Sequence, residues 1–448
     1  MSQGQTEYEA LYTERWSRDL CFTANAAHTP TKISNDELAS RSGFTDLNGG
    51  YACPVPLSLQ AEAAVDLLRT LNKKVHKPSL KPESGAMMLT ERTKHMQLDS
   101  AGRTNCGGSA MLFKTKDGRV ALNLARFSDW ELLPALLESD LAIPSAESVE
   151  SSALKYHPFT ETLGALLAQH TSEFLCQRAA VLGLPLSDAF AETLNNASTM
   201  TPWTMQSIAP RKRQSSECAL KVLDLSALWA GPLAGKLLAD CGAEVTKVES
   251  TRRPDGARFG PTTFFDYLNG QKTSLTVDFA TQNGIETLRQ MILDSDIVIE
   301  SARPRGLRQL GLHAEELIAQ APGLTWLAIS AYGRAPENEL RVGFGDDAAV
   351  AAGLSRKQYE STGRWQFVGD AIADPMTGIL GALSAYQVWL QGGGQLIDIS
   401  LAGTIRFCID HFEAHLSKTD PDRAPKMDKA LSRATPGIGI NSVNQTPL

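Results

Sequence analysis

The sequence predicts an α/β protein: a doubly wound, mostly parallel, Rossmann-like sheet with a smaller N-terminal α/β domain. Three observations carry this. Strand-like and helix-like segments alternate between residues 220 and 401. The strand-like runs are continuous in Val, Ile and Leu, as in strands covered on both faces. Before residue 190, two apolar runs flank an Asp-Gly turn and helical patterns follow, which marks a separate, smaller unit.

The elements justify this in order. LKVLDLS (220–226) reads as a buried strand, AGPLAGKLLADCGA (230–243) as a small-residue helix and EVTKVES (244–250) as the next strand. Together they make one βαβ unit. SLTVDF (274–279), IVIES (297–301), LTWLAIS (324–330) and QLIDISL (395–401) read as further strands. GIETLRQMILDS (284–295), AEELIAQA (314–321) and a long small-residue helix from Asp374 fall between them. In the smaller unit, AMLFKTKDGRVALNLA (110–125) reads as a hairpin turning at Asp117-Gly118. Ser128-Asp129-Trp130-Glu131 reads as a capping box, and one helix spans about 161–182, ending at Gly183.

The division expected is an N-terminal segment over 1–105, a small α/β domain over 106–190, a Thr/Ser/Asn/Pro-rich linker over 191–217, a catalytic domain over 218–420 and a tail over 421–448. Residues 1–50 give no reading. Within the first segment, GAMMLTERT (85–93) weakly echoes the stretch that follows the last crossover of such a sheet, as would a degenerate second copy or, more simply, a chance match of small and apolar residues.

Of 448 residues, 42% are hydrophobic and 21% charged, which suits a globular chain. The net charge of −7 excludes the basic footprint of a nucleic-acid binder. Seven scattered cysteines with no CxxC pair suit reduced thiols. The polar start lacks a positive-then-apolar leader, and no apolar run reaches the ~18 residues of a membrane span. A cytoplasmic protein without a membrane partner is expected.

A Rossmann-like sheet first suggests a dinucleotide. The first βα turn, Ala227-Leu228-Trp229-Ala230-Gly231-Pro232, carries no GxGxxG to wrap a pyrophosphate. Glu249 stands where a ribose-binding acid would, but without those glycines it says little. Taken with its neighbours the turn is more telling. VLDLSALWAGPLAGKLLADCGAEVTKVES (222–250), FFDYLNGQKTSLTVDF (264–279), IVIESARPRGLRQLGL (297–312), RVGFGDDAAVAAGL (341–354) and GDAIADPMTGILGALSAYQVWLQGGGQLIDISL (369–401) occur in that order. This series resembles the family III CoA-transferases, a family that also contains CoA-ester racemases. CGGSAMLFKTKDGRVALNLARFSDWELLPAL (106–136) resembles the family's small hairpin-and-helix module, placed here before the Rossmann-like half instead of after it.

The resemblance implies a CoA-transferase exchanging coenzyme A between an acyl-CoA and a carboxylic acid. Its nucleophile is the Asp of an "ADxxTG" motif, which Ala373-Asp374-Pro375-Met376-Thr377-Gly378 matches. The residues agree: Asp then Pro is a helix start, and a helix N-terminus favours an ionised carboxylate. By itself an aspartate there is also an ordinary cap. Gly378, Gly381, Ala382 and Ala385 would keep the helix slim beside a cofactor.

Family contacts to CoA map onto Leu228, Ser250, Val277 and Ala302; Arg303 sits in a family turn, and Trp229 is counted with them. Arg252, Arg253 and Arg258 follow the second strand at the sheet edge as phosphate candidates. Ala280 and Ser301 stand where the family commonly has Lys and Asn. The resemblance also implies an interlocked homodimer. CoA is the co-substrate; no metal is expected, although His411 and His415 stand four apart on a helix. Two alternatives stay open: a racemase or other CoA-ester enzyme on this fold, and a non-catalytic CoA-thioester-binding subunit. Phe344 occupies the position of the racemases' histidine, and Asp346 and Asp347 are expected to face solvent or cap the next helix.

Overall fold

A computed structural model of the chain describes residues 3–22, 33–73, 83–150, 154, 157–191, 201–212, 219–303 and 305–419. Cys218 and the expected tail lie outside the described residues. Two sheets organise the rest. The smaller holds β1 (Ala110–Lys114), β2 (Arg119–Asn123) and β3 (Leu186–Asp188) in order β1-β2-β3, all antiparallel. The larger holds β4 (Trp203–Ser207), β5 (Lys221–Asp224), β6 (Glu244–Ser250), β7 (Thr273–Val277), β8 (Ile297–Glu300), β9 (Thr325–Ser330) and β10 (Gln395–Ser400). Their order is β4-β10-β9-β8-β5-β6-β7, parallel except for β4.

Apolar packing covers both faces of the large sheet, as its Val/Ile/Leu runs predict. On one face lie helices Gln282–Leu293 and Ala314–Gln320. On the other lie Ala230–Asp240 and Ala373–Leu390. Gly378 makes that second layer tight: a Cβ there would come 2.6 Å from Ala230 O. The small residues of the Asp374 helix therefore serve helix and sheet packing, not a cofactor.

Four expectations are corrected. The stretch read as linker contains β4, which pairs antiparallel with β10 from Trp203 to Ser207. Only Trp203 of that strand is buried, so its Thr, Gln and Ser content resembles a linker. The described residues among 1–50, which gave no reading, form helices, of which Gln3–Leu20 buries Tyr12, Trp16 and Leu20 in the core of the large sheet. The helix expected over 161–182 is two, Phe159–Leu167 and Ser172–Leu182. Thr171 starts the second by accepting from Phe174 N, and Gly183 ends it at positive φ, as predicted. The expected capping box is half formed and starts earlier: the N-cap is Arg126, whose backbone N–H donates to Asp129 Oδ2 at 2.9 Å, while its own side chain has no acceptor to offer.

Helix Leu57–Lys73 forms a third layer against the Asp374 helix and is buried along nearly its whole length. Tyr386 OH donates to Asn72 Oδ1 at 2.9 Å across this contact. The small sheet keeps its own core of Met111, Phe113, Val120, Leu122 and Trp130. It meets the large unit where Ser187 Oγ donates to Asp347 O at 2.7 Å. Cys53, Cys106, Cys176, Cys241 and Cys408 are free thiols. No described helix is long and apolar enough to cross a membrane.

Candidate active site

In the large sheet, β5, β6 and β7 run outward one way while β8, β9 and β10 run the other. The order therefore reverses between β5 and β8, the crevice where open α/β sheets bind ligands. A cleft of about 180 Å³ opens there. Ala227 and Leu228 line it after β5, Ser301, Ala302 and Arg303 after β8, and Ser330 and Ala331 after β9. Asp374 lines the same cleft.

The first turn is held from below by buried charge. Leu228 adopts φ +68°, a left-handed conformation costly for a branched side chain. Its N–H donates to Asp255 Oδ1 at 2.8 Å, and Lys247 Nζ lies 2.9 Å from Asp255 Oδ2. Lys247 and Asp255 are both buried. Beside them Lys272 Nζ donates to Asp224 Oδ2 at 2.7 Å. Ser301, in the place of the family's asparagine, accepts from Ala227 N at 3.0 Å and ties the β8 turn to the β5 turn.

Asp374 lies in the first turn of helix Ala373–Leu390, two residues beyond the N-cap. The N-cap is Ile372 and has no side-chain bond to give. Nor is Asp374 held ionised by the helix terminus: its pKa is raised to about 7, by burial first and then by the charge of Asp346. Arg92 and the Gly345 N–H work in the opposite direction. Gly345 leaves just enough room, since a Cβ there would sit 2.2 Å from Asp374 Oδ2 and 2.3 Å from Ala371 O.

Asp346 and Asp347 are buried rather than facing solvent. Asp346 Oδ1 accepts from Ala371 N at 2.9 Å and Oδ2 from Asn105 Nδ2 at 2.6 Å. Burial, then the charge of Asp370, raises its pKa to about 6. Asp347 does cap its helix, accepting from Phe344 N at 3.0 Å, and burial raises it to about 7. Arg92 closes on Asp370, with Nε 2.7 Å from Oδ2 and Nη2 on Oδ1. Three carboxylates, Asp346, Asp370 and Asp374, thus share the one guanidinium of Arg92.

Leu228, Ala302 and Arg303 of the expected CoA contacts are brought to the cleft. Trp229 is buried, its ring 5.3 Å from that of Phe264 in an edge-on contact. Ser250 and Val277 sit opposite each other at the ends of β6 and β7, and Arg252 is exposed, 3.5 Å from Asp278; none of them lines the cleft. Arg258 is taken by Glu249, with Nε at 3.0 Å from both carboxylate oxygens, so that acid anchors a loop. His411 Nε2 contacts Asp19 Oδ2 at 3.1 Å, and His415 packs on Tyr12.

Sequence reasoning missed Arg92, Asn105, Asp370 and Arg341. Arg92 lay in the GAMMLTERT echo and Asp370 and Arg341 in quoted motifs, while Asn105 lay in none.

A Rossmann-like sheet without a dinucleotide turn, carrying a carboxylate in the cleft at its switch point, defines a ligand-binding α/β protein. Residues 219–436, just under half of the chain, match CoA-transferase family III. An acyl-CoA transferase of Fusarium pseudograminearum is 34% identical over 43% of this chain and 46% of its own. A succinyl-CoA–D-citramalate CoA-transferase of Chloroflexus aurantiacus is 33% identical over 41% and 48%. A succinyl-CoA:glutarate CoA-transferase of Homo sapiens is 30% identical over 44% and 47%. The chain spans about half the length of the curated relatives it matches.

Proposed function

We propose that the protein moves coenzyme A from an acyl-CoA to a carboxylic acid through an aspartyl-CoA thioester on Asp374. The observation that carries this reading is a partly exposed carboxylate at the switch-point cleft, in a family III domain. Two relatives are named for transfer between two acids, which supports exchange over racemisation. So does Phe344, an aromatic without a titratable proton in the racemases' histidine position.

In the first step the Asp374 carboxylate attacks the thioester carbonyl. The C–S bond breaks, a mixed anhydride forms and CoA leaves as thiolate. The thiolate attacks the Asp374 carbonyl, releases the donor acid and leaves the aspartyl-CoA thioester. The acceptor carboxylate attacks that thioester, expelling CoA thiolate and forming a second anhydride. The thiolate then attacks the acceptor's carbonyl, which gives the new acyl-CoA and frees the Asp374 carboxylate. The Gly345 N–H beside Asp374 is placed to stabilise oxyanion charge as these carbonyls become tetrahedral. CoA would run past Leu228, Ala302 and Arg303, with Trp229, Ser250, Arg252 and Val277 along its outer reach.

The homodimer implied by the family likeness, and a cytoplasmic location suited to the free thiols, belong to this reading. The test is peptide mass spectrometry after incubation with an acyl-CoA. CoA-derived mass on the Asp374 peptide is expected; rapid α-deuteration of a 2-methylacyl-CoA in D₂O without CoA exchange would overturn the reading in favour of racemisation.

A further inference from the structure

The cations around the cleft are not equivalent. Arg92 is closed on Asp370, Arg126 on Asp129, and Arg334 on Glu300 and Glu315. Arg303 and Arg341, which both line the cleft with Asp374, have no carboxylate within 4.0 Å among the described residues. Arg303 is given to CoA, which leaves Arg341. Its guanidinium lies flat on the Tyr332 ring, 3.5 Å from the centroid. One nitrogen, Nη1, reaches the neutral Asn338 Oδ1 at 3.3 Å.

This arrangement fixes the plane of the guanidinium and leaves most of its five donors uncommitted. The backbone around it is fixed too. Arg341 N donates to Asn338 O at 3.0 Å, and Val342 bridges Pro185 at the end of β3. Gly343 beyond it is packed so closely that a Cβ would lie 2.8 Å from Asp347 Oδ2. The wall beside Arg341 is apolar, formed by Ile329, Val342 and Leu401. A half-buried guanidinium on an apolar wall gains most from a planar anion that meets its edge with two hydrogen bonds.

We propose that Arg341 receives a second carboxylate on the acid that exchanges CoA, so that the protein selects short dicarboxylates over monocarboxylates. This rests on the transferase reading for its chemistry. One carboxylate of the acid would meet Asp374 as a thioester or anhydride, and the other would lie on Arg341 within the same cleft. The acids in two of the relatives' names each carry two carboxylates, but the assignment here stands on Arg341's own surroundings. A CoA phosphate is the other anion that could reach a guanidinium, and the experiment separates the two.

Glutarate and valerate have the same chain length and differ in the second carboxylate. With butyryl-CoA as donor, the wild-type protein should favour glutarate. In Arg341→Met the glutarate-to-valerate ratio of kcat/KM should fall about 10–100-fold, the loss typical of a charge-assisted pair. Calorimetric titration of glutarate in the presence of CoA should show the same loss of affinity, and this arm needs no turnover. An unchanged ratio, or no glutarate binding to the wild type, overturns the proposal. A rise in the KM for butyryl-CoA with both acids also overturns it, by assigning Arg341 to a CoA phosphate. Failure to find CoA mass on Asp374 while glutarate binding still depends on Arg341 would instead remove the transferase reading.

Discussion

Arg92 and Asp370 meet as a bidentate ion pair across 278 residues of chain, four residues before Asp374. The contact joins the half of the chain without a family match to the half with one. It places the compensating cation of the carboxylate cluster on a short 3₁₀ turn, Glu91–Lys94, outside the matched region.

The proposed attack by Asp374 needs its ionised form, and burial and the charge of Asp346 raise its pKa to about 7. The rate of CoA transfer should therefore rise with pH up to about 7 and level off above it. A pH profile of kcat/KM measures this. Asp346→Asn removes the like charge, and the acidic limb should move to lower pH.

Arg92→Gln removes the positive charge that favours the Asp374 anion. The same limb should shift toward higher pH, by about 1 unit or more. Arg92→Lys, which keeps the charge but not the fork, should recover part of that shift. A folded Arg92→Gln variant with an unmoved profile would show that the residue serves packing alone.

Asp374→Asn should reduce CoA transfer by on the order of 10³-fold or more. Its effect on the fold has a definite sign. A carboxyl whose folded pKa is raised contributes most below its unfolded value, and that contribution is lost as pH rises through about 7. The neutral amide avoids the loss. Thermal melting at pH 5 and pH 8 should show Asp374→Asn gaining on the wild type as pH rises.

Gly345→Ala would drive a methyl group into Asp374 Oδ2 and Ala371 O. Stability should fall by about 1–3 kcal/mol. Activity of the folded fraction should drop about 100-fold, because the carboxylate must move. Chemical denaturation and steady-state kinetics separate the two effects.

Lys247→Met leaves Asp255 buried without its cation. Breaking such a pair costs about 3–5 kcal/mol. Asp255 also holds the Leu228 turn, so the surviving folded protein should bind acyl-CoA more weakly. A melting temperature close to that of the wild type would contradict the role given to the pair.

The Rossmann-like sheet was legible because its strands alternate with helices and read as continuous apolar runs. Asp374 was legible because its motif is local. Its ionisation was not: the charges that set it, Asp346 and Arg92, come from elsewhere in the chain and only folding brings them together. Helix Leu57–Lys73 escaped a reading because several of its polar residues, Ser58, Gln60, Glu62 and Asn72, are themselves buried and interrupt the apolar pattern. β4 escaped because an edge strand with one buried residue has nearly the composition of a loop. Arg341 lay in a quoted motif, yet nothing in the sequence distinguishes an arginine without an acid from one that has found its partner.

β4 has a further consequence for how the molecule is made. It leaves the ribosome before any parallel strand of the large sheet, yet its hydrogen-bonding partner is β10, the last strand synthesised. The sheet is therefore completed by a strand that has waited unpaired while all the others were laid down. Until β10 arrives, β4 is an open edge beside a nascent chain rich in apolar strands, the condition under which newly made proteins pair with the wrong neighbour. Trp203 is its only buried side chain, and the exposed Thr204, Gln206 and Ser207 keep the waiting strand polar along most of its length.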